Sequence, residues 1–274
     1  FSGGTYLGKT IYVFGCIYRR NLDRSHCTYG AVEGNYHGYT HDFTAAGSVY
    51  RGAADFSNST YDRGVCSHGN TYYGSADLSG CTYRGKVNYR QNRYGANLTM
   101  RGCTYGASAE FSESAHMGDA DYSCSAYEAE VSFYGSRYLG NATFAESQYR
   151  GGVYHASEQF IGSANFDGVQ FGHTANPQAS SSFLGSVFAG GVSFMGAHSA
   201  GKPPAFDEFL RERFRSSPLW RARGTHERCA SDRLPVAELQ RVGGPEPVSA
   251  CPGRLRVLPA HLTVWFARLP GGSA

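Results

Sequence analysis

Large apolar or aromatic residues recur along this chain at alternating steps of five and six residues. Between positions 50 and 171 no step is missed, and we call these positions slots: Tyr50, Phe56, Tyr61, Ser67, Tyr72, Leu78, Tyr83, Tyr89, Tyr94, Met100, Tyr105, Phe111, His116, Tyr122, Tyr127, Phe133, Tyr138, Phe144, Tyr149, His155, Phe160, Phe166 and Phe171. A second column of mostly small residues precedes every second slot by two residues, at a constant spacing of eleven: Ala54, Val65, Ala76, Val87, Leu98, Ala109, Ala120, Val131, Ala142, Val153, Ala164 and Ala175. Neither the helical period of 3.6 nor the strand period of two describes this pattern. A fixed period of this length predicts a repeat architecture.

A step of five or six residues fits a short extended piece followed by a corner. Many glycines fall one or two residues after a slot, and glycine tolerates the positive φ and the close backbone approach of a tight corner. If four slots close one coil, a coil takes 22 residues, and Tyr50, Tyr72 and Tyr94 stack in one column. The sequence therefore predicts stacked coils of short strands around one continuous core, with hydrogen bonds running between coils.

Several short runs share a motif of a small residue, a polar residue and a large apolar residue: Ala54-Asp55-Phe56-Ser57, Ala76-Asp77-Leu78-Ser79-Gly80, Ala96-Asn97-Leu98-Thr99, Ala164-Asn165-Phe166-Asp167-Gly168 and Val192-Ser193-Phe194-Met195-Gly196. These runs resemble the pentapeptide-repeat family, over about residues 48 to 200 and more loosely 1 to 200. The resemblance implies an all-β fold, a right-handed quadrilateral β-helix with the large residue and the preceding small residue inward. The alternation of five and six is similar to a variant common in high-GC bacteria. The chain departs from the family because Tyr fills most alternate slots, and His116 and His155 fill two others.

The periodicity divides the chain into four segments. Residues 1–47 keep the slots only in part, and we interpret them as a degenerate start of the array, with slots at Phe1, Tyr6, Tyr12, Ile17, Asp23, Thr28, Gly34, Tyr39 and Ala45. Residues 48–200 form the predicted β-helix. A capping helix is predicted over 201–217, because four apolar residues fall there at helical spacing: Phe206, Phe209, Leu210 and Phe214. Residues 218–274 are rich in Arg, Pro, Gly and Ala, and we expect them to be weakly structured or disordered.

The rhythm breaks once within the array, around residues 172–182, where Pro177 occupies a slot. It resumes at Phe183, Phe188 and Phe194. Proline removes a backbone donor from a strand ladder, which favours an excursion of the chain. The sequence leaves two interpretations open here, an insertion of about six residues or a local bulge.

Composition and charge argue against two classes of function, nucleic-acid binding and DNA mimicry. The chain has 274 residues, with 20 Tyr, 17 Phe and 36 Gly, and a net charge of +3, so it lacks the strongly basic balance of a dedicated nucleic-acid binder. Some pentapeptide-repeat proteins resemble B-DNA and bind DNA gyrase. Residues 48–200 carry twelve carboxylates against nine Lys and Arg, in a basic band over 84–101 and an acidic band over 110–130. These mixed charges argue against a DNA mimic, which needs a dense negative surface.

No constellation of residues predicts catalytic, cofactor-binding or metal-binding sites, so we expect no enzyme and no cofactor. The histidines at 37, 41, 68, 116, 155 and 173 share no ligand spacing, and the eight cysteines form no C-x-x-C pair. We interpret the cysteines as buried free thiols. Cys81 and Cys103 lie 22 residues apart, so a disulfide between adjacent coils is an open alternative to two small inward residues.

The expected role is a non-enzymatic elongated scaffold or protein–protein interaction surface, as the family resemblance implies. The alternatives are a DNA mimic that binds DNA gyrase or topoisomerase, and a β-helix carbohydrate-active enzyme. We expect another protein as partner, with a homodimer through the C-terminal region as a further option, and no nucleic acid. No run of eighteen apolar residues predicts a membrane span. The compartment is undetermined, with the cytoplasm favoured over secretion. Because the chain starts at Phe1 without Met, we expect a fragment or a processed chain.

Overall fold

The chain folds into two-residue β-strands separated by corners. The computed structural model describes residues 2–7, 11–12, 15–20, 22–34, 36–173, 176, 178–200, 202–206 and 264–265. The first twelve strands are β1 (Thr5–Tyr6), β2 (Ile11–Tyr12), β3 (Ile17–Tyr18), β4 (Leu22–Asp23), β5 (Thr28–Tyr29), β6 (Val32–Glu33), β7 (Gly38–Tyr39), β8 (Phe43–Thr44), β9 (Val49–Tyr50), β10 (Ala54–Asp55), β11 (Thr60–Tyr61) and β12 (Val65–Cys66). The next twelve are β13 (Thr71–Tyr72), β14 (Ala76–Asp77), β15 (Thr82–Tyr83), β16 (Val87–Asn88), β17 (Arg93–Tyr94), β18 (Leu98–Thr99), β19 (Thr104–Tyr105), β20 (Ala109–Glu110), β21 (Ala115–His116), β22 (Ala120–Asp121), β23 (Ala126–Tyr127) and β24 (Val131–Ser132). The last twelve are β25 (Arg137–Tyr138), β26 (Ala142–Thr143), β27 (Gln148–Tyr149), β28 (Val153–Tyr154), β29 (Gln159–Phe160), β30 (Ala164–Asn165), β31 (Gln170–Phe171), β32 (Ser181–Ser182), β33 (Val187–Phe188), β34 (Val192–Ser193), β35 (His198–Ser199) and β36 (Val264–Trp265).

Every fourth strand belongs to the same parallel sheet, so the coil has four sides. Sheet A contains β1, β5, β9, β13, β17, β21, β25, β29 and β33, and sheet B contains β2, β6, β10, β14, β18, β22, β26, β30, β34 and β36. Sheet C contains β3, β7, β11, β15, β19, β23, β27, β31 and β35, and sheet D contains β4, β8, β12, β16, β20, β24, β28 and β32. Through the centre of the array the register advances by 22 residues, as in the pairing of Ala54 with Ala76. The predicted 22-residue coil and the all-β parallel solenoid are therefore confirmed.

The slots form the core, as the pattern predicts. In the sheet A column the rings of Tyr72 and Tyr94 lie 5.0 Å apart, and in the sheet C column those of Tyr105 and Tyr127 lie 4.7 Å apart, 1° from parallel. Rings from adjacent columns meet edge to face instead, as Tyr105 and Phe111 do at 5.6 Å and 86°. Both arrangements are favourable for aromatic pairs, so four columns of side chains fill the tube.

Four predicted slots near the N-terminus are wrong by one residue. Tyr12 pairs with Glu33, one residue before the slot at Gly34. Tyr18 rather than Ile17 packs on the next coil, and Tyr29 rather than Thr28 is buried; Asp23 is exposed. The reason is coil length, because β5 pairs with β9 and β3 with β7 at an offset of 21 residues. Extending a 22-residue period backwards therefore places these slots one residue too early.

The break near residue 177 is an insertion. Val153 pairs with Ser181 and Ala164 with Val192, an offset of 28 residues in place of 22. Of the two interpretations that the sequence leaves open, the insertion of about six residues is thus confirmed and the local bulge is not. Pro177 itself lies outside the described residues. Beyond the insertion Phe183, Phe188 and Phe194 are buried, as predicted.

Phe206 ends the described core, because its ring stacks on that of Phe183 at 4.9 Å. The predicted capping helix over 201–217 and the tail over 218–274 fall almost entirely outside the described residues, and the four-segment division stays a prediction. Within the tail, β36 pairs with β34 at the edge of sheet B. In the part of the chain that the structure describes, no helix is long and apolar enough to cross a membrane.

Candidate interaction surface

His116 belongs to the core. Its ring lies between those of Tyr94 and Tyr138, at 4.9 and 4.6 Å. Neither ring nitrogen has a hydrogen-bond partner among the described residues. Burial lowers the pKa of His116 to about 3, so the imidazole is neutral and stacked, which is unsuited to acid–base chemistry with a solvent-borne substrate.

His155 pairs with a carboxyl group inside the tube. Its Nδ1 lies 2.8 Å from Oε2 of Glu158, and both side chains are fully buried. Burial lowers the pKa of His155 well below its usual range and raises the pKa of Glu158 well above its usual range. Both shifts favour the neutral forms, so a hydrogen bond between neutral groups joins the two side chains.

Sequence reasoning misses Glu158, because it is one of the twelve carboxylates of residues 48–200 and a carboxylate is expected on the exterior. The signal is its place two residues before Phe160, because that position holds Cys27 in an early coil and Ser or Asn in six later ones: Ser48, Asn70, Asn92, Ser114, Ser136 and Ser186. These residues lie inside the tube and bond from coil to coil, as when the Asn70 backbone N–H donates to Asn92 Oδ1 at 2.8 Å. Glu158 therefore replaces a small polar residue of an internal ladder.

Cys81 and Cys103 are free thiols. Cys81 Sγ donates to the Phe56 carbonyl at 3.3 Å, and Cys103 Sγ donates to the Leu78 carbonyl at 3.1 Å. On the next coil Ser125 Oγ makes the equivalent bond, 3.2 Å long, to the Met100 carbonyl. The thiols thus take the place of hydroxyls, and the interpretation as small buried residues is confirmed over the disulfide.

Four exposed apolar residues line the corner between sheets A and B. Tyr73 is 65% exposed, Met117 43%, Leu139 37% and Ile161 39%. Each follows a slot of the sheet A column by one residue, so they lie above one another on successive coils, with Gly95 between the first two. We call Tyr73, Gly95, Met117, Leu139 and Ile161 the apolar corner. Sequence analysis overlooked it because the residues after the slots were read only for glycine.

A column of glycines supports this corner from the following position. A Cβ atom on Gly140 would lie 2.5 Å from the carbonyl carbon of Gly118, and one on Gly162 would lie 2.2 Å from the Gly140 oxygen. Real Cβ atoms do not approach backbone so closely. At Gly140 and Gly162 the absence of a Cβ atom therefore allows this close stacking of coils. The column is not glycine throughout, because Ala96 holds the same position between Gly74 and Gly118.

A shallow polar groove of about 360 Å³ lies on sheet B beside the apolar corner. Its side chains bond from coil to coil: Asp119 N–H donates to Asn97 Oδ1 at 3.1 Å, and Asn141 N–H donates to Asp119 Oδ1 at 2.8 Å. Asp121 and Thr143 line the same groove. No lysine or arginine contributes to this lining, so the groove is acidic.

Comparison with known proteins finds only distant solved structures. No family model matches the chain, and no curated protein matches it. QnrB1, described as a plasmid-mediated fluoroquinolone resistance protein, aligns over 78% of this chain and 96% of its own at 13% identity, with a TM-score of 0.24. HetL, described as a pentapeptide repeat protein involved in heterocyst differentiation regulation in the cyanobacterium Nostoc, aligns over 74% and 90% at 13% identity, with a TM-score of 0.23. Alignments of this quality decide nothing about the present chain.

The coil itself decides the fold. Each coil has four parallel two-residue strands, and four of the five motif runs bury both their small and their large residue, as Ala76 and Leu78 are buried while Asp77 between them is partly exposed. The run from Ala96 to Thr99 is the exception, because Leu98 pairs with Ala76 in the small column and Ala96 is only partly buried. The chain has the pentapeptide-repeat fold. In this pentapeptide-repeat array the large side chains of the slots are buried in the core. Another molecule can therefore contact only the corners and the outward residues of the strands.

The exterior of the pentapeptide-repeat array carries charges of both signs. Arg84 Nη1 lies 2.6 Å from Asp62 Oδ1 one coil away, and Arg150 pairs with Glu128 at the same corner between sheets C and D. Exposed pairs of this kind contribute little to stability. Among the described residues, no three His, Cys, Asp or Glu side chains are grouped so that they could hold a metal ion.

Proposed function

We propose that this chain is a non-enzymatic scaffold whose exterior binds another protein. The observation that supports the proposal best is the apolar corner, where exposed apolar side chains recur on successive coils. Isolated exposed apolar residues are ordinary on a protein surface, whereas contiguous ones are typical of binding sites. Solenoids present such surfaces rigidly, since each coil is fixed by its neighbours.

The distribution of titratable groups also supports a binding role. His116, His155 and Glu158 are enclosed in the core, and their pKa shifts favour uncharged groups. A carbohydrate-active β-helix enzyme needs carboxyl groups that flank a substrate in an open groove. The groove on sheet B holds Asp119 and Asp121, but both accept hydrogen bonds from neighbouring backbone N–H groups that fix the side chains.

The test begins with capture of partners on the tagged full chain from the source organism. The captured candidate is then purified, mixed with the chain, and its dissociation constant is measured by calorimetry. We expect a complex with a dissociation constant of about 1 μM or tighter. If no candidate reconstitutes a binary complex from purified components, the scaffold proposal is wrong.

The DNA-mimic alternative has its own assay. DNA gyrase supercoiling is measured with and without a quinolone, at increasing concentrations of the chain. Because the exterior charges are mixed and partly paired, we expect no protection and no inhibition at micromolar protein. Protection of gyrase at that concentration would favour the mimic over the scaffold.

A further inference from the structure

The apolar corner has the length of a short helix. From Tyr73 to Ile161 it spans four coil steps, which is about 19 Å at a strand spacing of about 4.8 Å. An α-helix of about 13 residues has that length. Gly95 carries no side chain, so the corner is lower between Tyr73 and Met117 and leaves room there for one bulky side chain of a partner.

The backbone of the corner has few groups to offer an extended peptide. The N–H groups of Met117, Leu139 and Ile161 each donate to a carbonyl of the preceding coil at 2.8 Å. The strands on either side are also satisfied, because β17, β21 and β25 each pair with two neighbours in sheet A. A peptide that adds a strand gains its affinity from an open sheet edge. The occupant of this corner must therefore satisfy its own backbone, as a helix does.

The two flanks of the corner differ in charge. On sheet A the exposed side chains of Arg93 and Arg137 point outward, and neither forms an ion pair with another described residue. On sheet B stand Asp119 and Asp121, likewise without a cationic partner within the described part of the chain. An apolar strip with cations on one side and anions on the other is complementary to a segment with the opposite arrangement.

From this combination we propose that the apolar corner binds an amphipathic α-helix of the partner protein. The apolar stripe of the helix lies along Met117, Leu139 and Ile161, with a larger side chain above Gly95. Its acidic residues lie over Arg93 and Arg137, and its basic residues lie over Asp119 and Asp121. This inference rests on the proposed scaffold function and names the chemistry of the partner segment.

The probe is a capped, fluorescein-labelled alanine-based peptide of about 14 residues with leucines spaced three and four apart, so that they form one stripe. The matched peptide carries glutamates on one flank of that stripe and lysines on the other. A helix bound in the opposite direction along the corner presents its two flanks to opposite sides. The proposal therefore requires acidic residues on one flank and basic residues on the other, but it does not fix the direction of the bound helix. The control peptides therefore carry glutamate on both flanks, lysine on both flanks, or a central proline that breaks the helix.

Binding is measured by fluorescence anisotropy with the full chain at low ionic strength, where charge contacts are least screened. We expect the matched peptide to bind at least about fivefold more tightly than each uniform peptide, and the proline peptide to bind at least about tenfold more weakly. Equal binding of the matched and proline peptides would exclude a helix. No binding of the matched peptide up to about 1 mM would overturn the proposal as well.

Variants of the chain locate the contact. Leu139→Lys places a charge in the middle of the apolar corner and should weaken the matched peptide by about tenfold or more. Leu184→Lys is the matched control, because Leu184 is 44% exposed at a different corner, between sheets D and A; it should leave binding unchanged. Circular dichroism of both variants verifies that the coils persist. Equal binding by the two variants would contradict the proposal.

The captured partner separates this inference from the scaffold function. If the reconstituted partner binds Leu139→Lys as tightly as it binds the unmodified chain, the scaffold stands and the helix site is wrong. If the unmodified chain is a dimer by light scattering and Leu139→Lys is a monomer, the corner is covered by a second copy, which also overturns the proposal. A partner lost only with Leu139→Lys, and retained with Leu184→Lys, supports it.

Discussion

At the scale of single residues, each core tyrosine brings a hydroxyl group that the tube must accommodate. Tyr83 and Tyr89 place their hydroxyl oxygens 3.2 Å apart in a hydrogen bond. In contrast, the hydroxyls of Tyr105, Tyr127 and Tyr149 have no partner among the described residues. Burial raises the pKa of all three well above the usual range, so they remain neutral. The buried ring therefore stabilises the folded chain, whereas the buried hydroxyl without a partner destabilises it.

Removing one of these hydroxyls should therefore stabilise the chain. We expect Tyr149→Phe to raise the free energy of unfolding by about 1–3 kcal/mol, because it removes a buried group that has no partner among the described residues. Tyr83→Phe is the matched control in the same column, and should lower that free energy by about 0.5–1.5 kcal/mol because it breaks a hydrogen bond. Urea unfolding monitored by circular dichroism measures both. The same sign for the two variants would contradict this account.

His116 should make stability depend on pH. Burial keeps it neutral in the folded chain down to about pH 3, whereas the unfolded imidazole takes up a proton below pH 6.5. The unfolded state then binds more protons, so the folding equilibrium constant falls by up to about tenfold per pH unit as the pH drops from 6.5 towards 3. His155 acts in the same direction. Glu158 opposes it above pH 4.5, because unfolding releases the proton that burial retains on that carboxyl.

His116→Phe should remove this dependence. Phenylalanine fits a column that already continues with Phe160 and Phe188, and it has no ring nitrogen to leave unpaired. Between pH 5 and 6, we expect the slope of the logarithm of the folding constant against pH to decrease by about one. Unfolding curves at matched pH values measure it, and an unchanged slope would mean that His116 is protonated in the folded chain.

At the scale of the coil, the His155–Glu158 pair replaces a simpler solution that its neighbours use. The preceding coil has Phe133 and Ser136 at these positions, and the following coil has Phe183 and Ser186. The aromatic stack continues through the imidazole, which lies 4.8 Å from the Phe133 ring. The aromatic stack therefore tolerates histidine in place of phenylalanine. The cost in folding free energy comes from buried polar atoms, since His155 Nε2 and Glu158 Oε1 have no partner among the described residues.

A double-mutant cycle tests this account. His155→Phe or Glu158→Ser alone leaves the other member without its partner and should destabilise the chain by about 1–3 kcal/mol. Together they reproduce the neighbouring coils, and we expect the double variant to be at least as stable as the unmodified chain. Chemical unfolding of the four proteins gives the coupling energy. Additive losses would show that the pair contributes nothing as a pair.

The corner between sheets A and B sets a second requirement on the coil, because its glycines approach the preceding backbone. Gly140→Ala should destabilise the chain by about 1–3 kcal/mol or more, since its Cβ would overlap Gly118 and the backbone must move. Gly106→Ala is the control, because the nearest atoms to its added Cβ lie at an ordinary 3.5 Å; its stability should change little. Thermal unfolding compares them, and equal melting temperatures would refute the crowding argument.

The regular part of the coil was predictable from sequence because large side chains at a strict period have only one way to share a core. The irregular parts carry weaker signals. A coil one residue short moves the core position from Thr28 to Tyr29 without any marker such as proline. Glu158 was assigned to the exterior because a carboxylate usually is, although the small residues at 22-residue spacing around it indicated the interior. The apolar corner is missed because the positions after the slots are considered only as sites for glycine.

At the scale of the molecule, each coil contacts only the coils before and after it, apart from the ends. Stability is therefore approximately a sum of coil and interface contributions, and local losses are not rescued by distant contacts. For the same reason the surface is rigid over the length that an interaction requires. The apolar corner on the central coils is thus held by stacks on both sides, which suits a binding surface that has to be in place before its partner arrives.

The insertion before β32 also makes one coil longer than the others, which distinguishes that coil when the chain is unfolded by force. A rod pulled from its two ends in an optical trap should yield coil by coil, and each ordinary coil would release 22 residues, about 75 Å of extended chain. The coil that contains the insertion would release 28 residues, about 95 Å. One increase in extension would therefore be longer than the others. Its place in the series shows when the coil between β28 and β32 unfolds.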